Sequence, residues 1–249
     1  RDPEIASPMP DLLGLTAERV EALRSVERYR TLNPTWIFET VNASAECVLV
    51  DVGTGLGYVA LPFAAKYPKA KVYAMDILPG MISLLREDAA DLSNVECRLM
   101  KSPTSLDFPT GKADVVVTCQ VHHELDDPVA LLRECRRILK PDLGVLALVD
   151  WKEPAAAGKE KEKGGEHSTS QQNDSADDDK KKKTSSRRFV PEATIREHLR
   201  DAGFFADAEE EHAAIQRHDL FPNHLFLTAQ KMTMDHDDDD DDYDDSSRD

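Results

Sequence analysis

The stretch Val48–Gly57 has the sequence Val-Leu-Val-Asp-Val-Gly-Thr-Gly-Leu-Gly, and it decides the fold. A short run rich in valine is typical of a buried parallel strand. Glycines at every second position end this run, and the residues after them, Tyr58–Lys66, have the composition of a helix. A strand, a tight glycine turn and a helix form the first unit of a doubly wound sheet. Backbone in such a turn can approach a ligand closely because no Cβ stands in the way.

The spacing of the glycines indicates the kind of ligand. A dinucleotide-binding turn has the pattern Gly-x-Gly-x-x-Gly, which requires glycine at position 58, but this chain has Tyr58 there and its third glycine at Gly57. An acidic residue, Asp51, also precedes the first glycine by two positions. The pattern Asp-x-Gly-x-Gly-x-Gly resembles motif I of the class I methyltransferases that depend on S-adenosylmethionine (SAM). A nucleotide turn of another kind and a purely structural turn are the alternatives.

The resemblance implies that SAM is the cofactor and that the turn binds it. The implied contacts in the turn are Asp51, Gly53, Thr54, Gly55 and Gly57. The next predicted strand ends at Asp76, 19 residues after the last glycine of the turn. A carboxylate there can accept hydrogen bonds from both ribose hydroxyls, so Asp76 and the adjoining Ile77 are assigned to the cofactor site. Capping of the following helix is the alternative role of Asp76.

Two further strand ends complete the predicted cofactor site. Many relatives carry an acid after the third strand, where this chain has Met100, Lys101 and Ser102. We expect Met100 to pack on the adenine ring and Ser102 or a backbone group to pair with it. The fourth strand ends at Cys119 and Gln120, which complete the set.

The segment from about 46 to 151 alternates strands with helices, which predicts a parallel sheet covered on both faces. It resembles small-molecule methyltransferases of the ubiquinone/menaquinone-biosynthesis and arsenite-methyltransferase-like group. The motifs that carry the resemblance are the glycine turn, Val121-His-His-Glu124, Asp127-Pro128, Leu132–Pro141 and Val149-Asp-Trp151. The resemblance implies a Rossmann-like seven-stranded sheet of order 3-2-1-4-5-7-6 with the last strand antiparallel. Reactive cysteines of the arsenite enzymes are not evident, so that substrate is not carried over.

The composition divides the chain into four parts. We predict a helical lead-in (1–45), a methyltransferase domain (46–152 and 189–232), a disordered charged insertion (153–188) and a disordered acidic tail (233–249). The lead-in should contain a helix over Ala17–Arg30. After the insertion we expect a helix over Pro191–Ala202, a strand over Phe204–Glu211 and a strand over His224–Lys231.

The charge and the cysteines bear on partners and location. The net charge is −17, and residues 235–249 hold ten aspartates and one arginine, which argues against a nucleic-acid partner. The four cysteines lack Cys-x-x-Cys spacing, which indicates reduced thiols and no metal site. There is no apolar run long enough for a membrane span and no signal peptide, so we expect an intracellular, cytoplasmic protein. The sequence does not specify an oligomeric state.

The predicted function is methyl transfer from SAM to a small molecule by direct in-line displacement. His122 and His123 follow the fourth strand, where a neutral imidazole could take a proton from the acceptor, or could instead be structural. Tyr29, Asp150 and Trp151 are the candidate substrate contacts. The alternatives are methylation of protein or RNA, and a SAM-binding scaffold protein without turnover.

Overall fold

A computed structural model describes residues 15–141, 143–152 and 189–231. The predicted disordered insertion (153–188) and the predicted acidic tail (233–249) lie outside the described residues, as does the start of the lead-in.

The described elements largely follow the predicted alternation. The helices are α1 (Ala17–Leu23), α2 (Val26–Thr31), α3 (Pro34–Thr40), α4 (Ala60–Lys66), α5 (Pro79–Asp88), α6 (Pro128–Ile138), α7 (Glu192–Asp201) and α8 (Ala208–Ala214). The strands are β1 (Val48–Val52), β2 (Lys71–Asp76), β3 (Val95–Leu99), β4 (Val115–Cys119), β5 (Val145–Trp151), β6 (Ile215–His218) and β7 (His224–Gln230). A short 3₁₀ helix, His122–Glu124, follows β4.

The seven strands form one sheet in the order β3-β2-β1-β4-β5-β7-β6, which confirms the predicted topology. The first five strands are parallel, and β7 runs antiparallel to both β5 and β6. The carboxyl ends of β1 to β5 therefore lie along one edge of the sheet. Ligands of open parallel sheets bind beyond this edge.

Both faces of the sheet are buried, which explains why the central strands are almost wholly apolar. In β4, Val116 belongs to the core beneath α6 and α7, whereas Val115 and Val117 belong to the core beneath α3 and α4. Side chains alternate between faces along a strand, so a strand covered on both sides needs apolar residues at every position. The two cores hold the strand ends in a fixed arrangement.

The predicted single helix over Ala17–Arg30 is wrong. The chain forms α1 and α2 instead, and Ser25 separates them by accepting a hydrogen bond from the Arg28 amide (3.4 Å). Serine favours helix N-termini because its hydroxyl satisfies an amide that has no partner within the helix. The chain therefore forms two separate helices here, and both contribute side chains to the cavity described below.

The predicted strand over Phe204–Glu211 is also wrong. Most of that segment lies in a loop and in α8, and the strand follows as β6, from Ile215. Asp207 begins the helix by accepting hydrogen bonds from the amides of Glu209 (2.9 Å) and Glu210 (3.0 Å). Acidic residues in the first turn also favour a helix through its dipole, and this signal outweighed the strand propensity of the preceding phenylalanines.

The described residues also bear on the membrane and cysteine predictions. None of the helices within them is both long and apolar enough to cross a membrane. All four cysteines are free thiols; three are buried and Cys97 is partly exposed.

Replacing Gly57 by alanine is expected to destabilise the fold by about 2–4 kcal/mol. Gly57 has φ +77°, and a Cβ there would lie 2.5 Å from Leu85 Cδ1 and 2.6 Å from Leu61 Cγ. The substitution therefore combines backbone strain with overpacking. Chemical denaturation would measure the change in the free energy of unfolding.

Gly111→Ala is the matched control for that change. Gly111 also has a positive φ (+67°), but the nearest atom to its Cβ would be Pro141 Cδ at 3.7 Å. This control should cost only the backbone strain, about 1 kcal/mol. Equal losses in the two variants would contradict the packing argument.

Candidate active site

A cavity of about 590 Å³ lies beyond the carboxyl ends of the parallel strands. This volume is in the range of small-molecule and cofactor sites. Residues at the ends of β1, β2, β4 and β5 line it, together with the loops after β1, β3 and β4, and α1 and α2 contribute to its wall. The sequence-predicted residues among its lining are Gly53, Thr54, Gly55, Asp76, Ile77, Met100, Cys119, Gln120, His123 and Trp151.

Asp51 stabilises the glycine turn through hydrogen bonds. This buried carboxylate accepts hydrogen bonds from Thr54 Oγ1 (2.7 Å) and from the Ala60 amide at the start of α4 (3.1 Å). Burial raises the pKa of Asp51 to about 6, although these two hydrogen bonds favour its ionised form. Asp51 and Gly57 are not among the described residues that line the cavity. In the structure they stabilise the turn and do not face the cavity.

Asp76 links β2 to the glycine turn. Its Oδ2 accepts a hydrogen bond from the Gly55 amide (2.8 Å), and its Oδ1 accepts one from the Leu78 amide (2.9 Å). An ionised carboxylate has about four acceptor positions, so two positions are left for a ligand. Asp76 is mostly buried but lines the cavity, where these positions suit a ligand with two adjacent hydroxyls.

The loop after β3 places its residues differently from the prediction. Met100 and Pro103 line the cavity, whereas Lys101 and Ser102 are not among its described lining residues. The Lys101 ammonium group is exposed and lies 3.6 Å from Asp107 Oδ2. The Ser102 hydroxyl is 3.2 Å from Thr104 Oγ1. The wall at this end of the cavity is therefore formed by apolar side chains.

A polar network crosses the cavity from α2 to the end of β4. Gln120 has a left-handed backbone (φ +61°), which is uncommon for a residue other than glycine and is often found at functional sites. Its Oε1 accepts a hydrogen bond from Arg28 Nη2 (2.8 Å), and its Nε2 lies 3.0 Å from His224 Nε2. Burial raises the pKa of the adjoining Cys119 thiol to about 12, so this sulfur is neutral near pH 7.

His123 and Asp150 form a buried pair at the wall of the cavity. Asp150 accepts a hydrogen bond from the His123 amide through Oδ2 (3.0 Å), and its Oδ1 lies 2.7 Å from His123 Nδ1. The same Oδ1 also accepts a hydrogen bond from the Trp151 amide (2.6 Å). A carboxylate at Nδ1 sets the imidazole tautomer that has its proton on that atom. The sequence placed Asp150 among the substrate contacts, but in the structure its hydrogen bonds orient His123.

Unlike His123, His122 does not lie at the wall of the cavity. It is not among the described lining residues, and its Nε2 lies 3.0 Å from Nδ1 of His198 on α7. Burial, together with the neighbouring His198, lowers the pKa of His122 to about 4. The described geometry therefore supports a structural role for this residue, by linking the loop after β4 to α7.

The stability of the protein is expected to depend on His122 between pH 6.5 and 4. In this window the unfolded imidazole, with its ordinary pKa of 6.5, binds a proton that the folded one excludes, so acidification favours unfolding. This contribution reaches about 3 kcal/mol at pH 4. Denaturation curves of the wild type and of His122→Gln over this window would measure it.

The wild type must be compared with His122→Gln because Asp51 has the opposite effect on the pH dependence of stability. Its raised pKa means that the folded carboxyl gains a proton as the pH falls through about 6, which favours the folded state. Both proteins retain Asp51, so the difference between their curves isolates His122. Parallel curves for the wild type and His122→Gln would contradict the assignment.

The lead-in contributes a different residue from the one predicted. Tyr29 is 43% exposed and packs against Tyr58 with ring centroids 4.6 Å apart, and it is not among the described cavity residues. Its neighbour Arg28 lines the cavity, as does Arg19 of α1. The sequence signal was a single tyrosine, Tyr29, between two arginines, and it did not indicate which of these side chains faces the strands.

Comparison with protein families decides the kind of site. Residues 50–148 match the family model described as a methyltransferase domain. This part of the chain is a methyltransferase domain of the class I SAM-dependent type. The match spans β1 to β5 and includes the glycine turn, Asp76 and the His123 loop.

Known proteins resemble this chain in sequence and in fold. Demethylmenaquinone methyltransferase of Chlamydia muridarum is 27% identical over 149 residues, which cover 59% of this chain and 62% of the relative. A ubiquinone biosynthesis O-methyltransferase of Acinetobacter baylyi is 21% identical over 140 residues, covering 56% and 59%. The crystal structure of a SAM-dependent methyltransferase from Aquifex aeolicus shares the fold with a TM-score of 0.62 at 22% identity, over 86% of this chain and 97% of that one.

The chain spans less than two thirds of the length of these curated relatives. The cofactor of its domain is SAM, and the residues present fit that group. A Cβ built on Gly55 would meet no atom within 4 Å, so the turn leaves open space on the cavity side. The Asp76 carboxylate and the apolar wall at Met100 lie next to this space.

Proposed function

We propose that this methyltransferase transfers the methyl group of SAM to a hydroxyl group of a small-molecule acceptor by direct in-line displacement, with His123 as the general base. The observation that carries the proposal is the His123–Asp150 pair at the cavity wall, beside the glycine turn. When bound, SAM supplies an activated sulfonium methyl group. The chain orients the reactants, excludes water and moves one proton.

The strand order supports a direction for the cofactor across the cavity. Met100 follows β3 and Asp76 ends β2, so we assign the adenine to the apolar wall and the ribose hydroxyls to the Asp76 carboxylate. The Gly53–Gly55 turn follows β1, and Gln120 follows β4. These groups are assigned to the remainder of the cofactor, which places its reactive end towards β4 and β5.

The acceptor is assigned to a neighbouring pocket of about 380 Å³ that shares several lining residues, including Gln120 and Trp151, with the main cavity. Trp151 lines both spaces, and its ring packs against that of His224 at a tilt of 31°, with the centroids 4.4 Å apart. An aromatic wall of this kind favours a planar acceptor. The two relatives described above are a ubiquinone biosynthesis O-methyltransferase and a demethylmenaquinone methyltransferase, so quinols and phenols are the first acceptors to test.

His123 is the side chain that we assign to proton transfer. The hydrogen bond between Nδ1 and Asp150 directs the basic lone pair to Nε2, and the negative carboxylate stabilises the imidazolium that forms when Nε2 takes a proton. An acceptor that must lose a proton, such as a phenol or an enol, requires this assistance. His122 is unsuited because its buried imidazole is engaged with His198.

The test is a transfer assay with SAM that carries a labelled methyl group. The purified chain would be incubated with a panel of quinols, phenols and enolisable metabolites, and, as separate arms, with protein and RNA. We expect label in a hydroxylated small molecule. Label only in protein or RNA would overturn the assignment of the acceptor, and SAM binding without transfer to any panel member would favour a SAM-binding protein without turnover.

A further inference from the structure

The guanidinium of Arg28 lies in the cavity without an acidic partner among the described residues. Ion pairs to carboxylates are found for Arg19, Arg24 and Arg30 on the same helices or beside them, but the described residues place no carboxylate oxygen within 4.0 Å of Arg28. The side chain is half-buried, and its Nε is buried with no hydrogen-bond partner in the described part of the chain. A buried donor without a partner destabilises the fold, so its position needs an explanation.

Neighbouring groups hold Arg28 in place. The guanidinium carbon lies 3.9 Å from the centroid of the Tyr58 ring, and Nη2 donates a hydrogen bond to Gln120 Oε1 (2.8 Å). The Tyr58 hydroxyl donates to the carbonyl oxygens of Arg28 and Leu32, which fixes α2 over the start of the domain. These contacts fix the orientation of the guanidinium. None of the groups in them is negatively charged, so they do not neutralise its positive charge.

The position of Arg28 relates it to one part of the cofactor. Its Nη2 donates to Gln120 Oε1, directly after the last residue of β4, so the guanidinium lies at the carboxyl end of that strand. The proposed ribose site, Asp76, is on the other side of β1, at the end of β2. The part of SAM that extends from the ribose towards β4 is the amino-acid end, which carries a carboxylate.

We infer that Arg28 binds the carboxylate of the amino-acid end of SAM, with Gln120 holding the guanidinium in place. A guanidinium can donate two parallel hydrogen bonds to a carboxylate, and such charge-assisted bonds are among the strongest in proteins. This inference rests on the proposed function only for the identity and the direction of the cofactor, because it involves no methyl acceptor.

Calorimetric binding of two ligands to Arg28→Met tests the inference. The ligands are S-adenosylhomocysteine, which has the amino-acid end, and 5′-methylthioadenosine, which has the adenosine and the sulfur but no carboxylate. We expect the substitution to weaken S-adenosylhomocysteine by about 10- to 100-fold, the value of a charged hydrogen bond, and to leave methylthioadenosine unchanged. Arg30→Met is the matched control on the same helix, since Arg30 is exposed and pairs only with Glu27 among the described residues; it should change neither affinity.

Two outcomes would overturn the inference. Unchanged affinity for S-adenosylhomocysteine would mean that another group holds the carboxylate, and equal losses for both ligands would mean that Arg28 only supports the fold of the cavity. If Arg28→Met does not fold, Arg28→Lys provides the same comparison, because it keeps the charge but loses the paired donors. Failure of the methyl-transfer assay would leave these binding results intact, so the two proposals can fail independently.

Discussion

Replacing His123 by glutamine is expected to lower kcat about a hundred- to ten-thousand-fold, the usual contribution of a general base. Glutamine keeps a polar side chain of similar size at the cavity wall but has no basic nitrogen. The affinity for SAM should stay unchanged, because the residues assigned to the cofactor lie on other strand ends. Steady-state kinetics with an acceptor identified by the transfer assay, together with calorimetry for SAM, would measure both quantities.

Asp150→Asn separates positioning from general-base catalysis. Asparagine can still accept a hydrogen bond through its oxygen, but it does not stabilise an imidazolium and can set the wrong tautomer. We expect a smaller loss of kcat than in His123→Gln and an altered dependence of the rate on pH. His212→Gln, on the exposed surface of α8, is the control and should retain full activity. Full activity in His123→Gln would remove the base from the mechanism.

Replacing Gly55 by arginine is expected to weaken SAM binding by more than about a hundredfold, or about 2.7 kcal/mol. The Cβ of Gly55 would meet no atom within 4 Å and Gly55 lines the cavity, so the long side chain would occupy space assigned to the cofactor. The backbone at Gly55 has φ +57°, a left-handed value that costs an arginine about 1 kcal/mol. The fold should therefore survive while the site is blocked.

Gly111→Arg is the control that separates the effect of backbone strain from the effect of filling the cavity. Gly111 has a similar φ (+67°) and lies just before β4, at the opposite edge of the sheet from the cavity. Calorimetry with SAM should show near wild-type affinity in this control, and thermal unfolding should show similar small losses of stability in both variants. Normal SAM binding by a folded Gly55→Arg protein would contradict the assignment of the cofactor to the glycine turn.

Much of the fold followed from local sequence signals. The apolar run and spaced glycines of Val48–Gly57 indicated the strand and turn because left-handed backbone and close approach depend on the absence of a Cβ at those positions. The Asp127-Pro128 signal likewise marked the start of α6, where Asp127 accepts a hydrogen bond from the Ala130 amide (2.9 Å). The order of the strands came from the family resemblance.

Local signals failed where two of them competed. Ser25 interrupted a helical pattern that favoured one continuous helix, and Asp207 began a helix where aromatic residues favoured a strand. In both places a capping side chain accepts hydrogen bonds from backbone amides. Such a cap stabilises a helix by about 1 kcal/mol, which is too small a difference to be predicted from composition. The errors lie outside the central strands, so they did not change the predicted edge of the sheet.

The sequence by itself determined which strand ends meet, and with them the positions of Gly53, Asp76, Met100 and Gln120, because parallel strands bring their carboxyl ends to one edge. Only the tertiary structure decided between neighbours in the chain. It directs Arg28 and not Tyr29 into the cavity, and it separates His123, which pairs with Asp150, from His122, which pairs with His198. Adjacent side chains on a helix or a tight turn point in different directions, so the angle at which the element packs determines which one reaches the site.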